Sequence, residues 1–154
     1  MRITDLLALS HVPRWVNVRH QPPQSVADHS FRVASIYVEL CSRLKKDISL
    51  SGLTWALFHD GLEGYTGDIP ADFKETIREE VAEAERKLGV VLAEPPPEAD
   101  LKLVKLADRI ETYTYISACG IGPHAKRVEA ICYQQLQEKA GEWWSIVKLL
   151  CIDI

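Results

Sequence analysis

Four side chains in this sequence are of types that hold metal ions: His29, the adjacent pair His59-Asp60, and Asp108. Three of them fall on stripes otherwise made of Val, Leu and Ile at helical spacing. An ionisable group on a buried helix face is costly unless something pairs it. One divalent cation would pair all four. Two imidazoles with two carboxylates suit a first-row ion such as Zn, Mn, Fe or Co better than Ca or a thiolate-selected metal. On an octahedral ion, four protein ligands leave positions for water and substrate, as metal-assisted hydrolysis requires. Singly, each residue has a plainer reading: a hydrogen-bonded core histidine, a chance dipeptide, an Asp108–Arg109 ion pair. The joint pattern points to a metal.

The residues after the pair add acid–base chemistry. In the run His59-Asp60-Gly61-Leu62-Glu63-Gly64-Tyr65-Thr66-Gly67-Asp68-Ile69-Pro70, Glu63 follows His59 by four residues and Asp60 by three. On a helix that spacing places it on the ligands' face. Asp68 follows a glycine in a turn, from which its carboxylate can swing toward a metal. Two carboxylates beside an activated water supply a general base and a proton donor. Upstream lie Arg14 and Trp15. An arginine there can grip phosphate bidentately, and a tryptophan can stack on a base or sugar. A surface arginine and a core tryptophan are the plainer alternative.

Helices must position these groups, because apolar residues recur at helical spacing almost throughout. A short helix is expected over residues 3–9, then a proline-rich extended loop over 11–25. Ser25 opens a long helix with the stripe His29, Val33, Ile36, Leu40 and Leu44. Ser49 or Ser51 caps the next, which carries Leu53, Leu57 and Phe58 up to His59. Gly64, Gly67 and Pro70 mark a break over 64–70. A charged helix follows over 71–88, then a stiff connector at 93–97. Glu98 begins a helix with Leu101, Val104, Asp108 and Tyr115 in line, widened by Leu103, Leu106 and Ile110. After a turn at Gly120, Gly122 and Pro123, two last helices cover 124–139 and 141 to near the end. No segment alternates as a half-buried strand does. The expected fold is one all-α domain over residues 1–154, a bundle of about six to seven helices.

Composition agrees with a globular domain and narrows the partners. The chain has 154 residues, 47% hydrophobic and 26% charged, with a net charge of -4. Whole-chain disorder is excluded, and the acidic balance counts against binding a nucleic-acid polymer. No apolar run approaches the roughly 20 residues of a membrane span, and the N-terminus lacks a signal-peptide pattern. Cys41, Cys119, Cys132 and Cys151 form no CxxC pair, so reduced thiols in the cytoplasm are expected. Trp143, Trp144, Ile146, Leu149, Leu150 and Ile152 crowd the C-terminus. They read equally as core closure or as an oligomer interface.

A HxnHDxnD pattern spread over helices resembles the HD-domain metal-dependent phosphohydrolases. Within them the chain is similar to the compact 5′-deoxynucleotidases, including a phage branch that hydrolyses dATP to deoxyadenosine and triphosphate. The matching stretches are Arg14-Trp15, Gln24 to Ser30, His59 to Pro70 and Leu103 to Asp108. The resemblance implies that His29, His59, Asp60 and Asp108 hold one divalent transition metal (Zn, Co or Mn), with Mg as an additional ion accompanying a triphosphate. It implies that Glu63 and Asp68 manage the water and the leaving oxygen. Arg14 then contacts phosphate, Trp15 borders the nucleoside, and Lys74 faces the phosphate tail. The expected substrate is a deoxynucleoside triphosphate, with a monophosphate as runner-up, and the expected assembly is a homo-oligomer, a dimer or hexamer. Outside that reading, a two-iron oxygenase lacks further histidines next to acids. A non-catalytic regulatory module would have lost a ligand or an acid, and all six positions are present.

Overall fold

A computed structural model describes residues 3–89 and 95–151. Among them the regular structure is helical, with only two isolated β-bridges, Pro13 to Ser25 and His20 to Gly120. Helix α1 (Ile3–Ala8) runs into a 3-10 turn at Leu9–His11. Helix α2 (Val26–Arg43) begins where expected, because Ser25 and Asp28 form a reciprocal capping box. Its buried face carries Val26, His29, Val33, Tyr37 and Leu40. The stripe therefore passes through Tyr37, while Ile36 and Leu44 pack half-buried beside it. Ser49 caps α3 (Leu50–Phe58), its hydroxyl accepting the Gly52 N–H at 3.0 Å.

Two stretches differ from expectation. Gly64 does not interrupt the chain but lies within α4 (Glu63–Thr66), which ends at Gly67 with φ 77°. One glycine costs a single helical turn only about 1 kcal/mol, whereas a positive φ is where glycine is needed. The charged segment 71–88 is two helices, α5 (Ala71–Thr76) and α6 (Arg78–Leu88), parted at Ile77 (φ −110°, ψ 31°). Neither glycine nor proline marks the join. The reason is tertiary: Lys74 on α5 is drawn into ion pairs at the site, whereas Arg86 and Lys87 on α6 pair at the surface. Of the connector at 93–97, residues 93 and 94 lie outside the described residues, and 95–97 lead without regular structure into α7 (Glu98–Cys119).

Helix α7 is the hub. It touches α2, α3, α8 (Gly122–Ala140) and α9 (Trp144–Cys151). Tyr37, Leu40, Leu103, Leu106, Ile110 and Leu136 are fully or almost fully buried at their junction. Each such side chain contributes about 1.5–3 kcal/mol by leaving water. Trp143, Trp144, Ile146 and Leu150 pack against this core, and Leu149 stays exposed. The C-terminal cluster thus mostly closes the core; Ile152 lies outside the described residues. All four cysteines are free thiols. Among the described residues no helix is long and apolar enough to cross a membrane.

The loop between the 3-10 turn and α2 is pinned at both sides. The Arg14 N–H donates to Gln24 O at 2.9 Å and the Val26 N–H to Val12 O at 3.0 Å. Further along, Gln21 N–H reaches Cys119 O at 3.0 Å, and Arg19 O accepts the Ile121 N–H at 2.8 Å. Arg14 and Trp15 are held by these crossings beside the middle of α7.

Candidate metal centre

Three separate pieces of chain deliver the four proposed ligands. His29 comes from the first turn of α2, His59 caps α3, Asp60 follows in the turn before α4, and Asp108 sits midway along α7. Ligand atoms of His29, His59 and Asp108 lie within 4.8 Å of one another. Asp60 joins them: its Oδ2 stands 3.2 Å from His59 Nε2 and 3.6 Å from His29 Nε2.

The donor set fits a divalent cation. His29 Nδ1 lies 2.6 Å from Glu111 Oε2, and His59 Nδ1 lies 3.1 Å from Ala56 O. A carboxylate and a carbonyl only accept, so both Nδ1 atoms carry a proton and both Nε2 atoms turn inward. That is how metal-ligating histidines are held. His29 Nε2 is buried and has no hydrogen-bond partner. A buried atom of this kind calls for an explanation, and a cation supplies one.

The electrostatics follow from crowding. Burial and the Arg14 charge oppose a proton on His29, but the carboxylates of Asp108 and Glu111 outweigh them and push it up to about 9. Burial penalises the Asp60 and Asp108 carboxylates, yet the imidazoles, with Lys74 for Asp60, hold both well below the usual range. Carboxylate oxygens of Asp60 and Asp108 thus face the point where the two Nε2 atoms converge.

Around this point stand the remaining predicted residues. Glu63 is 2% exposed, and its Oε2 is buried with no hydrogen-bond partner. Burial, together with Asp60 and Asp68, pushes its carboxyl up to about 7 against the pull of Lys74. Lys74 Nζ bridges Asp60 Oδ1 at 2.6 Å and Glu63 Oε1 at 3.2 Å, joining ligand to acid. Asp68 turns toward the loop: its Oδ1 is 3.5 Å from Arg14 Nε, and its Oδ2 accepts the Trp15 N–H at 3.3 Å. Trp15 has φ 61°, a strained backbone for a bulky residue. Its ring stacks on Tyr115 at 5.9 Å. Arg109 donates to Gln135 at 3.0 Å, so the simple Asp108–Arg109 pairing is not what the structure holds.

Two participants escaped the sequence reading. Glu111, 1% exposed, and Gln24, 2% exposed, connect His29 to the Arg14–Trp15 loop. The available signal was spacing. Glu111 follows Asp108 by three residues and so shares its helix face, and Gln24 immediately precedes the Ser25 cap.

Comparison with known proteins places the chain in a family. The model of the HD domain matches residues 7–139. A dATP triphosphohydrolase of Salmonella phage PMBT28 is 30% identical over 155 residues, covering 90% of this chain and 80% of the relative. A dATP triphosphohydrolase of cyanophage S-2L is 29% identical over 142 residues, covering 88% and 81%. Among solved structures, the cyanophage S-2L HD phosphohydrolase bound to dA and one catalytic Zn2+ ion superposes with a TM-score of 0.86 at 23% identity, covering 100% of this chain and 98% of that one. A protein from Pyrococcus horikoshii OT3 follows at 0.66 and 24% identity, covering 97% and 96%.

Proposed function

The chain belongs to the HD-domain family, and from that membership we propose that it is a metal-dependent dATP triphosphohydrolase, releasing deoxyadenosine and triphosphate. The observation that carries the chemistry is the convergence of His29, His59 and Asp108 ligand atoms within 4.8 Å, with Asp60 alongside. These four residues would hold one divalent transition ion, and Zn2+ is the ion in the cyanophage structure. Bound there, the ion supplies Lewis acidity to a phosphoryl oxygen and to the attacking water.

The protein's own groups do the rest. Hydrolysis adds water to the α-phosphorus, breaks the bond to the 5′ oxygen and leaves a proton on that oxygen. Glu63 Oε2, buried and without a partner, is the atom that handles the proton. With its carboxyl near neutrality in affinity, Glu63 both takes and gives a proton at working pH. Asp68 holds Arg14 by the ion pair and Trp15 by the backbone, so its role is expressed through the substrate loop. Arg14 and Lys74 bind the phosphates; both now face carboxylates, which a triphosphate displaces better than a monophosphate because it carries more charge. Trp15, already stacked on Tyr115, offers an edge to the nucleoside. We place the enzyme with the nucleotide pool of the cytoplasm, as a homo-oligomer.

Incubation of the purified protein and Zn2+, Mn2+ or Co2+ with dATP, dAMP and ATP tests this reading, with products resolved by chromatography. Deoxyadenosine and triphosphate from dATP are the expected products. Release of orthophosphate or pyrophosphate from dATP, or turnover of dAMP alone, would overturn it.

A further inference from the structure

Glu111 is buried in the middle of α7. Its Oε2 lies 2.6 Å from His29 Nδ1 and 3.4 Å from Arg14 Nη1. Its Oε1 accepts the Gln24 amide N–H at 2.6 Å. The Gln24 carbonyl oxygen in turn accepts Trp15 Nε1–H at 2.9 Å and Arg14 Nη1–H at 3.3 Å. Donors and acceptors alternate without conflict along this path, so the orientation of the Gln24 amide is determined. One carboxylate therefore grips the imidazole at the metal centre, the Arg14 guanidinium directly, and Trp15 through one amide.

We infer that Glu111 is a positioning residue that links the metal side of the site to the substrate side, through His29 in one direction and Gln24 in the other. The inference rests on the proposed ligand role of His29. Two consequences follow from the geometry. Without Glu111 the His29 ring loses the partner that turns Nε2 inward, so metal binding weakens. Without Glu111 the Gln24 amide loses its anchor, which loosens the Trp15 indole, and Arg14 loses a direct partner. Gln24 carries the second effect alone, because among the described contacts it does not touch His29.

The test compares the full chain with Glu111→Ala, Glu111→Gln, Gln24→Ala and His29→Ala. Zn2+ affinity is read by competition with a chromophoric chelator, and deoxyadenosine affinity by calorimetry at saturating Zn2+. Glu111→Ala is expected to lower Zn2+ affinity about 10- to 100-fold and deoxyadenosine affinity roughly two- to tenfold. Gln24→Ala is expected to leave Zn2+ affinity unchanged and reproduce only the deoxyadenosine loss. An amide has one acceptor oxygen, so Glu111→Gln can serve only one of the two donors and should recover one loss without the other. Wild-type Zn2+ affinity in Glu111→Ala, or a Zn2+ defect with unaltered deoxyadenosine binding there and in Gln24→Ala, would overturn the link. If Glu111→Ala does not fold, the Gln24→Ala result decides: a Zn2+ defect there sinks the division of roles. A His29→Ala protein that binds Zn2+ as tightly as wild type overturns the ligand assignment and the inference together.

Discussion

At the scale of single residues, the proposed roles separate groups that would hold a metal from a group that would move a proton. Asp108 contributes an oxygen to the convergent set and stands 3.3 Å from His29 Nε2. Asp108→Ala should therefore lose bound metal and turnover together, checked by elemental analysis beside product release. Glu63 is different. Its Oε1 is committed to Lys74 at 3.2 Å, while Oε2 is buried with no partner. Glu63→Gln keeps the shape and removes the exchangeable proton. It should retain Zn2+ while kcat falls about 10²- to 10⁴-fold, the usual contribution of a general acid or base. A variant that loses its metal, or turns over normally, would move Glu63 out of this role. Besides the phosphate contact proposed for it, Lys74 ties Asp60 to Glu63.

At the scale of elements, the site depends on where helices begin and end. His29 lies in the first turn of α2, four residues after the cap Ser25, whose C=O its N–H reaches at 3.1 Å. The cap thus sets the angle at which the imidazole enters. Ser25→Ala removes the acceptor for the Asp28 N–H at 3.1 Å. It should cost about 0.5–2 kcal/mol, read by denaturant unfolding, with a parallel loss of Zn2+ affinity if fraying reaches His29. His59 and Asp60 are placed the same way at the other end of a helix, where α3 stops and the chain turns toward α4. The split of the charged segment at Ile77 belongs here too. Local propensity favours one continuous helix, and the ion pairs of Lys74 hold α5 at the site instead.

At the scale of the whole molecule, two imidazoles and the carboxylates of Asp60 and Asp108 converge where α2, α3 and α7 meet, and a bound cation should stabilise the entire fold. Zn2+ at a concentration about 100 times its Kd should add about 2.7 kcal/mol, and chelation should reverse it. Differential scanning fluorimetry with and without chelator measures the change, and a Tm indifferent to Zn2+ would contradict a site built into the junction of three helices. Much of this architecture is legible in the residues alone. His29 and Asp108 show themselves as polar interruptions of apolar stripes. The run from His59 to Glu63 spans so few residues that its groups stay close, although α3 ends at Phe58 and a turn, not one helix face, carries the chain to Glu63 at the start of α4; Ser25 and Ser49 announce their helices by chemistry that acts over three residues. Glu111 announces nothing, because a glutamate on a long helix is ordinarily solvated. Only the packing of α2 on α7 brings it 2.6 Å from an imidazole 82 positions earlier. The partners of Arg14, Gln24 and Lys74 were hidden for the same reason. Spacing along the chain determines which side chains share a face. Which faces meet, and at what distance, depends on how side chains from remote helices interlock, and that is decided only in the folded molecule.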